Sequence, residues 1–136
     1  MSLFNVLDIA ASAMSAGSVR LNLVASNLAN ADSAASSSER AYHARQPVFA
    51  VVLGNEKDRF AGGVRVTGVV QSQAPSRIEF QPEHPMADSE GYVHLSNVNT
   101  IEEMANMMSA SRSFQTNIEV INTAKQMLLR TLSLGQ

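Results

Sequence analysis

The sequence predicts an α+β fold, in which long N- and C-terminal helices form an antiparallel coiled coil, with a small antiparallel β unit inserted between them in the chain. Apolar residues recur at helical spacing at both ends of the 136-residue chain, whereas short β-rich runs occupy the middle. All four prolines also fall in the middle, so both ends are free to form uninterrupted helices. Periodicity alone leaves open an ordinary α+β domain whose two helices cover a sheet.

The first segment, residues 1–31, is predicted to be the N-terminal helix of the coiled coil. It contains no proline and a single glycine. Two series of apolar or small residues with seven-residue spacing form an a/d stripe, the pattern of helices that pack along a seam. The first series is Leu7, Met14, Leu21 and Leu28, and the second is Ala10, Gly17, Val24 and Ala31.

The middle segment, residues 32–99, is predicted to be a loop followed by a small β domain. Its first residues are small and polar, which is typical of a loop. Alternation predicts strands in which Val64 and Val66 share one face, and Ile78 and Phe80 share another. The four predicted strands are PVFAVVLG, which stops at Gly54, then GVRVTGVVQ, RIEF and YVHL.

The last segment, residues 100–136, is predicted to be the C-terminal helix of the coiled coil. Thr100 is the expected N-cap, and Glu103 three residues later completes a capping box. The main stripe is Met107, Phe114, Ile121 and Leu128, and it is broadened by Met104, Ala110, Ile118, Ala124 and Leu132.

The helix faces away from these stripes carry few charges. Asp8 and Arg20 are the only charged side chains in residues 1–31. Small and amide side chains let helices approach closely and form hydrogen bonds without burying an ion, which costs far more. Such faces favour packing among many helices, although a neutral Ala- and Ser-rich helix is the plainer alternative.

Composition argues against most chemical functions. The chain has no cysteine, a formal net charge of −2, and three histidines without metal-ligand spacing. We therefore expect no catalytic site, no metal, no cofactor, no nucleic-acid partner and no membrane span. The N-terminus lacks the positive charge that precedes a signal peptide, and Asp8 interrupts its apolar stretch, so we expect no cleaved signal.

Two motifs carry a resemblance to a known family. LVASNLANADS resembles the N-terminal signature of bacterial flagellar rod and hook proteins, through Leu21, Asn27, Leu28, Ala29 and Asn30. The stretch from residue 84 to the end is similar to the C-terminal half of the proximal-rod members of that family. The matching residues are His84, Pro85, Gly91, Tyr92, Val93, Asn97, Val98, Asn99, Glu103, Met104, Ser111, Arg112, Asn117, Asn122, Thr123, Ala124, Lys125, Leu132, Gly135 and Gln136.

The sequence departs from the family pattern in two places. Ser96 stands where members usually have proline, and residues 31–39 lack the usual Thr and Arg. Both departures lie in or near predicted loops, so they change local contacts rather than the assignment.

The resemblance implies a structural role in the flagellar basal body. Expected partners are other rod proteins, further copies of this chain and the flagellar type III export apparatus, and the expected location is the periplasmic rod. A coiled-coil adaptor or export-linked scaffold that is not retained in the shaft is the alternative, and an enzyme in the β unit is a third hypothesis. The expected assembly interface comprises Leu7, Met14, Leu21, Asn27, Leu28, Asn30, Asn97, Asn99, Met104, Met107, Arg112, Phe114, Asn117, Ile118, Ile121, Asn122, Lys125, Leu128 and Leu132.

Overall fold

The computed structural model describes residues 2–53 and 62–134. Within those residues, a helix at each end encloses five strands in the chain order, which confirms the predicted α+β class. The elements are α1 (Leu3–Ala29), β1 (Ala34–Ala35), β2 (Arg45–Val52), β3 (Gly63–Gln71), β4 (Arg77–Phe80), β5 (Tyr92–Leu95) and α2 (Thr100–Leu134).

Strands β3, β4 and β5 have the predicted bounds, and β2 begins two residues before Pro47. The predicted end of that strand at Gly54 lies outside the described residues. Val64 and Val66 are partly buried whereas Arg65 between them is exposed, as the alternation predicts.

The stretch from Asp32 was predicted to be a loop, and this prediction is wrong for Ala34 and Ala35. These two residues form β1 and pair antiparallel with Leu95 and His94 of β5. The Ser96 amide extends the contact by donating to the Ser33 carbonyl over 3.2 Å. Local sequence did not indicate this strand because its partner lies about sixty residues further along the chain.

The strands of the inserted β unit form two sheets. One sheet has the order β1-β5-β4 and is antiparallel throughout, and the other pairs β2 with β3. In the first sheet, Ile78 lies opposite His94 and Phe80 lies opposite Tyr92.

The chain divides into two compact units, and each unit combines segments from the start, middle and end of the chain. The first unit comprises Met1–Leu21, Pro47–Gly68 and Met108–Gln136, and the second comprises Asn22–Gln46 and Val69–Met107. The three predicted segments, 1–31, 32–99 and 100–136, therefore follow the order of elements along the chain. Each compact unit contains residues from all three segments.

In the first unit, α1 and α2 pack side by side in opposite directions. Leu3 and Val6 at the start of α1 line a groove with residues 116–127 of α2. Further along α1, Gly17 approaches Phe114, and a Cβ atom at Gly17 would lie 3.7 Å from Cδ2 of that ring. This antiparallel pairing agrees with the coiled coil predicted from the two stripes.

In the second unit, small apolar residues form the core. Ala31, Ala44 and Val98 make a buried cluster, against which Tyr42 packs. Val93 of β5 is fully buried. The cluster thus joins Ala31, between α1 and β1, with Val98, between β5 and α2, and with Ala44.

The N-cap of α2 is Asn99, not Thr100. The Asn99 Oδ1 atom accepts hydrogen bonds from the amides of Ile101 and Glu102, over 3.1 and 3.4 Å. Asparagine is among the strongest N-cap residues because its short side chain reaches the free amides of the first turn. The predicted capping box is also wrong, because the Glu103 carboxylate bonds elsewhere.

Candidate functional site

The predicted stripe on α1 faces the interior. Every one of its eight positions is buried or partly buried. The second series holds the most deeply buried members, including Ala10 and Val24. Small side chains at these positions let α2 approach the α1 backbone closely.

The stripe on α2 differs from the prediction in both series. In the main stripe, Phe114, Ile121 and Leu128 are partly buried as expected, but Met107 is exposed. The residues predicted to broaden the stripe divide into two groups. Ala110 and Ala124 are buried, and Met104, Ile118 and Leu132 are exposed. The buried series with seven-residue spacing is Glu103, Ala110, Asn117 and Ala124, with Asn117 partly buried. The apolar pattern did not predict this series because two of its members, Glu103 and Asn117, are polar.

A hydrogen bond joins α1 to β3 within the first unit. The Ser12 hydroxyl accepts from the Val64 amide over 3.2 Å and donates to the Ile9 carbonyl over 2.7 Å. Gly63 leaves room for this contact, since a Cβ atom there would lie 2.9 Å from Ser12 Oγ. Ser12 therefore places the first residues of β3 directly against α1.

The second unit contains a buried polar network centred on Asn27. Its Nδ2 atom donates to the Arg45 carbonyl and to Glu103 Oε2, over 2.9 and 3.0 Å. Its Oδ1 atom accepts from the Arg45 amide and from the Tyr42 hydroxyl, both over 2.9 Å. All four hydrogen-bonding positions of the amide are thus used. One side chain of α1 holds the start of β2, the preceding Tyr42 and α2.

Glu103 is the acidic member of this network. It is only 5% exposed, and no ion pair to it is found among the described residues. The Asn27 amide is 3.0 Å from one carboxylate oxygen, and the Asn106 amide is 3.5 Å from the other. A buried carboxylate is tolerated when such donors replace water. Glu103 therefore joins α2 to α1 instead of capping its own helix.

Asn97 provides a second anchor for the segment before β2. Its Oδ1 atom accepts from the Ala44 amide over 2.7 Å, and its Nδ2 atom donates to the Ala74 carbonyl over 2.8 Å. The Ala44 carbonyl accepts from the Ser72 amide over 2.8 Å. The backbone of residues 42–45 is consequently held by asparagine side chains from two distant parts of the chain.

Asn30 of the N-terminal motif also acts locally. Its Nδ2 atom donates to the Ser26 carbonyl over 2.8 Å at the end of α1. The Asn30 carbonyl accepts from the Ser33 hydroxyl over 2.8 Å, which shapes the turn toward β1. Asn27, Asn30, Asn97 and Asn99 therefore each form a side-chain hydrogen bond within the chain.

The residues expected at an assembly interface therefore fall into three groups. Asn27 is fully buried, at 1% exposure. Those partly buried are Leu7, Met14, Leu21, Leu28, Asn30, Asn97, Phe114, Asn117, Ile121 and Leu128. Those exposed are Asn99, Met104, Met107, Arg112, Ile118, Asn122, Lys125 and Leu132. The exposed group has the most side-chain surface free within the chain.

Sequence reasoning missed Tyr42, Ser12 and the true contact of Glu103. Glu103 lies seven residues before Ala110, and this spacing was the available signal that its carboxylate is on the seam. Tyr42 and Ser12 carry no comparable local signal, because their partners are distant in sequence.

Among residues 2–53 and 62–134, no three His, Asp or Glu side chains are placed to hold a metal ion. Over the same residues, neither helix combines the length and apolarity needed to cross a bilayer.

Two family models match the two ends of the chain. Residues 7–34 match the flagella basal body rod protein model, and residues 89–134 match the model of the C-terminal part of the flagellar basal body rod FlgEFG proteins. The matched ranges contain Asn27 and Glu103, which meet in the buried network.

Full-length relatives extend this likeness over the whole chain. The flagellar basal-body rod protein FlgC of Salmonella typhimurium is 52% identical over 136 residues, covering all of both chains. The chain belongs to the flagellar basal-body rod protein family. FlgC of Escherichia coli O157:H7 is 51% identical, and FlgC of Buchnera aphidicola subsp. Baizongia pistaciae is 37% identical, again with full coverage of both chains.

Family membership makes this chain a structural component of the flagellar basal body and not an enzyme. Members of such a family act by assembling with other rod components. The surfaces available for assembly are therefore the functional part of the molecule, and the asparagine network holds the helices that carry them.

Proposed function

We propose that this protein is a helically assembling subunit of the proximal rod, the shaft that transmits motor torque to the hook and surrounds part of the export channel. Its partners in the shaft are other rod subunits and further copies of itself. It reaches the periplasm through the flagellar type III export apparatus without losing a signal peptide. The proposal rests on the family and on one feature of α2.

That feature is the set of large apolar side chains that α2 leaves exposed. The α1 seam covers only one side of the helix, and Met104 and Leu132 are 57% and 70% exposed. An apolar surface of this kind favours burial against another protein. In a shaft, many such contacts shared among neighbours would provide the stiffness needed to carry torque.

The test is to delete the gene from its own flagellated host and to restore wild-type or variant forms. We expect the deletion strain to lack rod beyond the proximal segment, to lack filaments and not to swim. Antibodies should detect the restored wild-type protein in purified basal bodies. Normal swimming of the deletion strain would refute the proposal.

The same preparation separates the shaft subunit from an export-linked adaptor. An adaptor that escorts other subunits would be needed for swimming but would be absent from purified basal bodies. If purified basal bodies contain this protein in amounts comparable with other rod proteins, the result favours the shaft-subunit hypothesis.

A further inference from the structure

The three-stranded sheet of the second unit leaves a group of large apolar side chains exposed on one face. Val93 is completely buried on one side of β5, and Tyr92 points to the other side by the alternation of the strand. Ile78, Phe80 and Tyr92 are 58%, 63% and 40% exposed. The open face of an antiparallel sheet is normally polar. We call these three residues the sheet patch.

The aromatic part of the sheet patch is held in a fixed arrangement. The rings of Phe80 and Tyr92 meet edge to face, with centroids 5.3 Å apart. Gly91, with φ of 83°, lies directly against Phe80, and a Cβ atom there would come within 2.9 Å of the ring. The patch is therefore ordered in the free chain, so docking on it does not require these rings to be reorganised.

The segment that carries the sheet patch is acidic. Residues 77–92 contain one arginine and four carboxylates, a net charge of −3 with His84 neutral. Glu83 and Glu90 are exposed between β4 and β5, whereas Glu79 pairs with Val93 and so lies on the face opposite the sheet patch. A partner for this surface should combine apolar side chains with positive charge.

The last part of α2 has that combination. Residues 120–134 contain Lys125 and Arg130 and no acidic residue, a net charge of +2. Met127, Leu129 and Leu132 are exposed on the same stretch of helix. Its apolar and charge properties therefore complement those of the sheet patch.

We propose that the sheet patch of one copy binds residues 120–134 of α2 from a second copy, an inference that rests on the proposed rod function. The two surfaces differ, so each bound pair still presents one free sheet patch and one free helix. Contacts of this heterologous kind extend into open helical assemblies or close into rings. The contact adds a specific subunit interface to the general packing of the terminal helices.

The first experiment uses crosslinking in the cysteine-free chain. One copy carries Ile78→Cys and a size-tagged second copy carries Leu129→Cys, both expressed in the deletion strain and treated with a short bis-maleimide. We expect a mixed dimer of these two copies in purified basal bodies. The matched control replaces Leu129→Cys by Met108→Cys, an exposed apolar position of α2 outside residues 120–134, and should give none.

Each outcome of the crosslinking separates the two proposals. Basal bodies that contain the protein but no mixed dimer overturn the sheet-patch contact and leave the rod function standing. An adduct between the Ile78→Cys copy and a different rod protein also overturns it, because the occupant is then not a second copy. Absence of the protein from basal bodies refutes both.

The second experiment reverses the charges. Glu83→Lys with Glu90→Lys should abolish swimming and remove the mixed dimer, while leaving the circular dichroism of the purified chain unchanged because both residues are exposed. Adding Lys125→Glu and Arg130→Glu should restore both readouts. The control is Glu102→Lys, which reverses the charge of an exposed acidic residue outside the patch. Failure of the fourfold variant to restore the dimer overturns the proposed charge pairing.

Discussion

At the scale of single residues, four asparagines of the two family-like motifs, Asn27, Asn30, Asn97 and Asn99, form hydrogen bonds within the chain. Asn27 satisfies both of its donors and both of its acceptors on Tyr42, Arg45 and Glu103. We expected this residue at an assembly interface because it lies in the N-terminal motif. Within the chain it is buried, and its hydrogen bonds hold the first residues of β2 and of α2 against α1.

We predict that Asn27→Ala destabilises the protein strongly. The change leaves the Tyr42 hydroxyl, the Arg45 amide and the Glu103 carboxylate without their partner, and each unsatisfied buried group costs about 1–3 kcal/mol. Urea unfolding should show a loss of about 3 kcal/mol in the free energy of unfolding. Asn22→Ala, at an exposed position of α1, is the control. Equal stability of the two variants would contradict a structural role for the network.

Asp88 gives the fold a dependence on acid pH. The Tyr92 amide bonds its Oδ1 atom over 2.9 Å, and with the Glu90 amide and nearby His94 it holds the pKa of this carboxyl below its ordinary value of 3.8. A lowered folded-state pKa contributes stability above the ordinary value, and that stability is lost as the pH falls through the folded pKa.

We therefore predict that Asp88→Asn flattens the acid side of the stability profile. Urea unfolding at about pH 7 and about pH 3 should show a smaller loss of stability in the variant than in the wild type. Glu90→Gln, which changes an exposed neighbouring carboxyl, should keep the wild-type profile. An unchanged acid dependence in Asp88→Asn would refute this assignment.

At the scale of elements, close contacts between small residues determine how the elements pack. In the first unit, a Cβ atom at Gly63 would lie 2.9 Å from Ser12 Oγ, whereas one at Gly17 would make an ordinary contact with the Phe114 ring at 3.7 Å. The contact at Gly63 is polar, so its benefit lies in close approach rather than in the apolar area buried. Packing of this kind is sensitive to the addition of a single methyl group.

Gly63→Ala tests the contact between β3 and α1. The new methyl group would lie 2.9 Å from Ser12 Oγ and 3.3 Å from Ser12 Cβ, so we expect a loss of roughly 1–3 kcal/mol. Gly68→Ala in the same strand is the matched control, because nothing lies within 4 Å of its Cβ position. Thermal unfolding should rank Gly63→Ala clearly below Gly68→Ala, and the reverse order would be inconsistent with this packing.

Phe114→Asp tests the pairing of the helices. A carboxylate would enter the partly buried seam without a partner, so helical pairing should weaken and rod assembly should fail. Circular dichroism of the purified chain and swimming of the complemented strain measure the two effects. Gln115→Asp adds the same charge at an exposed neighbouring position. A functional rod built from Phe114→Asp would contradict the seam.

At the scale of the whole molecule, our proposal assigns folding and assembly to different sides of α2. One side carries Ala110, Phe114 and Ala124 toward α1, whereas Met104 and Leu132 remain exposed. In this proposal the chain folds with the first side and assembles through the second. Substitutions on the two sides should therefore have separable effects.

Met104→Asp is predicted to block assembly without weakening the isolated chain. The side chain is 57% exposed, so the charge stays hydrated in the free protein and is buried only against a neighbour. Urea unfolding of the purified protein and immunoblots of basal bodies measure the two effects. Gln73→Asp, in the exposed loop after β3, should assemble normally. Incorporation of Met104→Asp at wild-type levels would exclude this face from the interface.

Some features of this protein follow from the sequence by itself. Seven-residue spacing predicts both helices, and alternation predicts strands β3, β4 and β5 with their observed bounds, because these patterns reflect which side of an element is buried. The motifs at the two ends also pointed to the rod family without a structure.

Tertiary structure alone decided the rest. Strand β1 forms because β5 pairs with it, and the Glu103 carboxylate bonds Asn27 instead of the start of its own helix. In each case the deciding partner is a hydrogen-bonding group whose position depends on the folded backbone. Periodic burial can be read from a sequence because it repeats along the chain, whereas a single polar contact between distant residues leaves no such repeat.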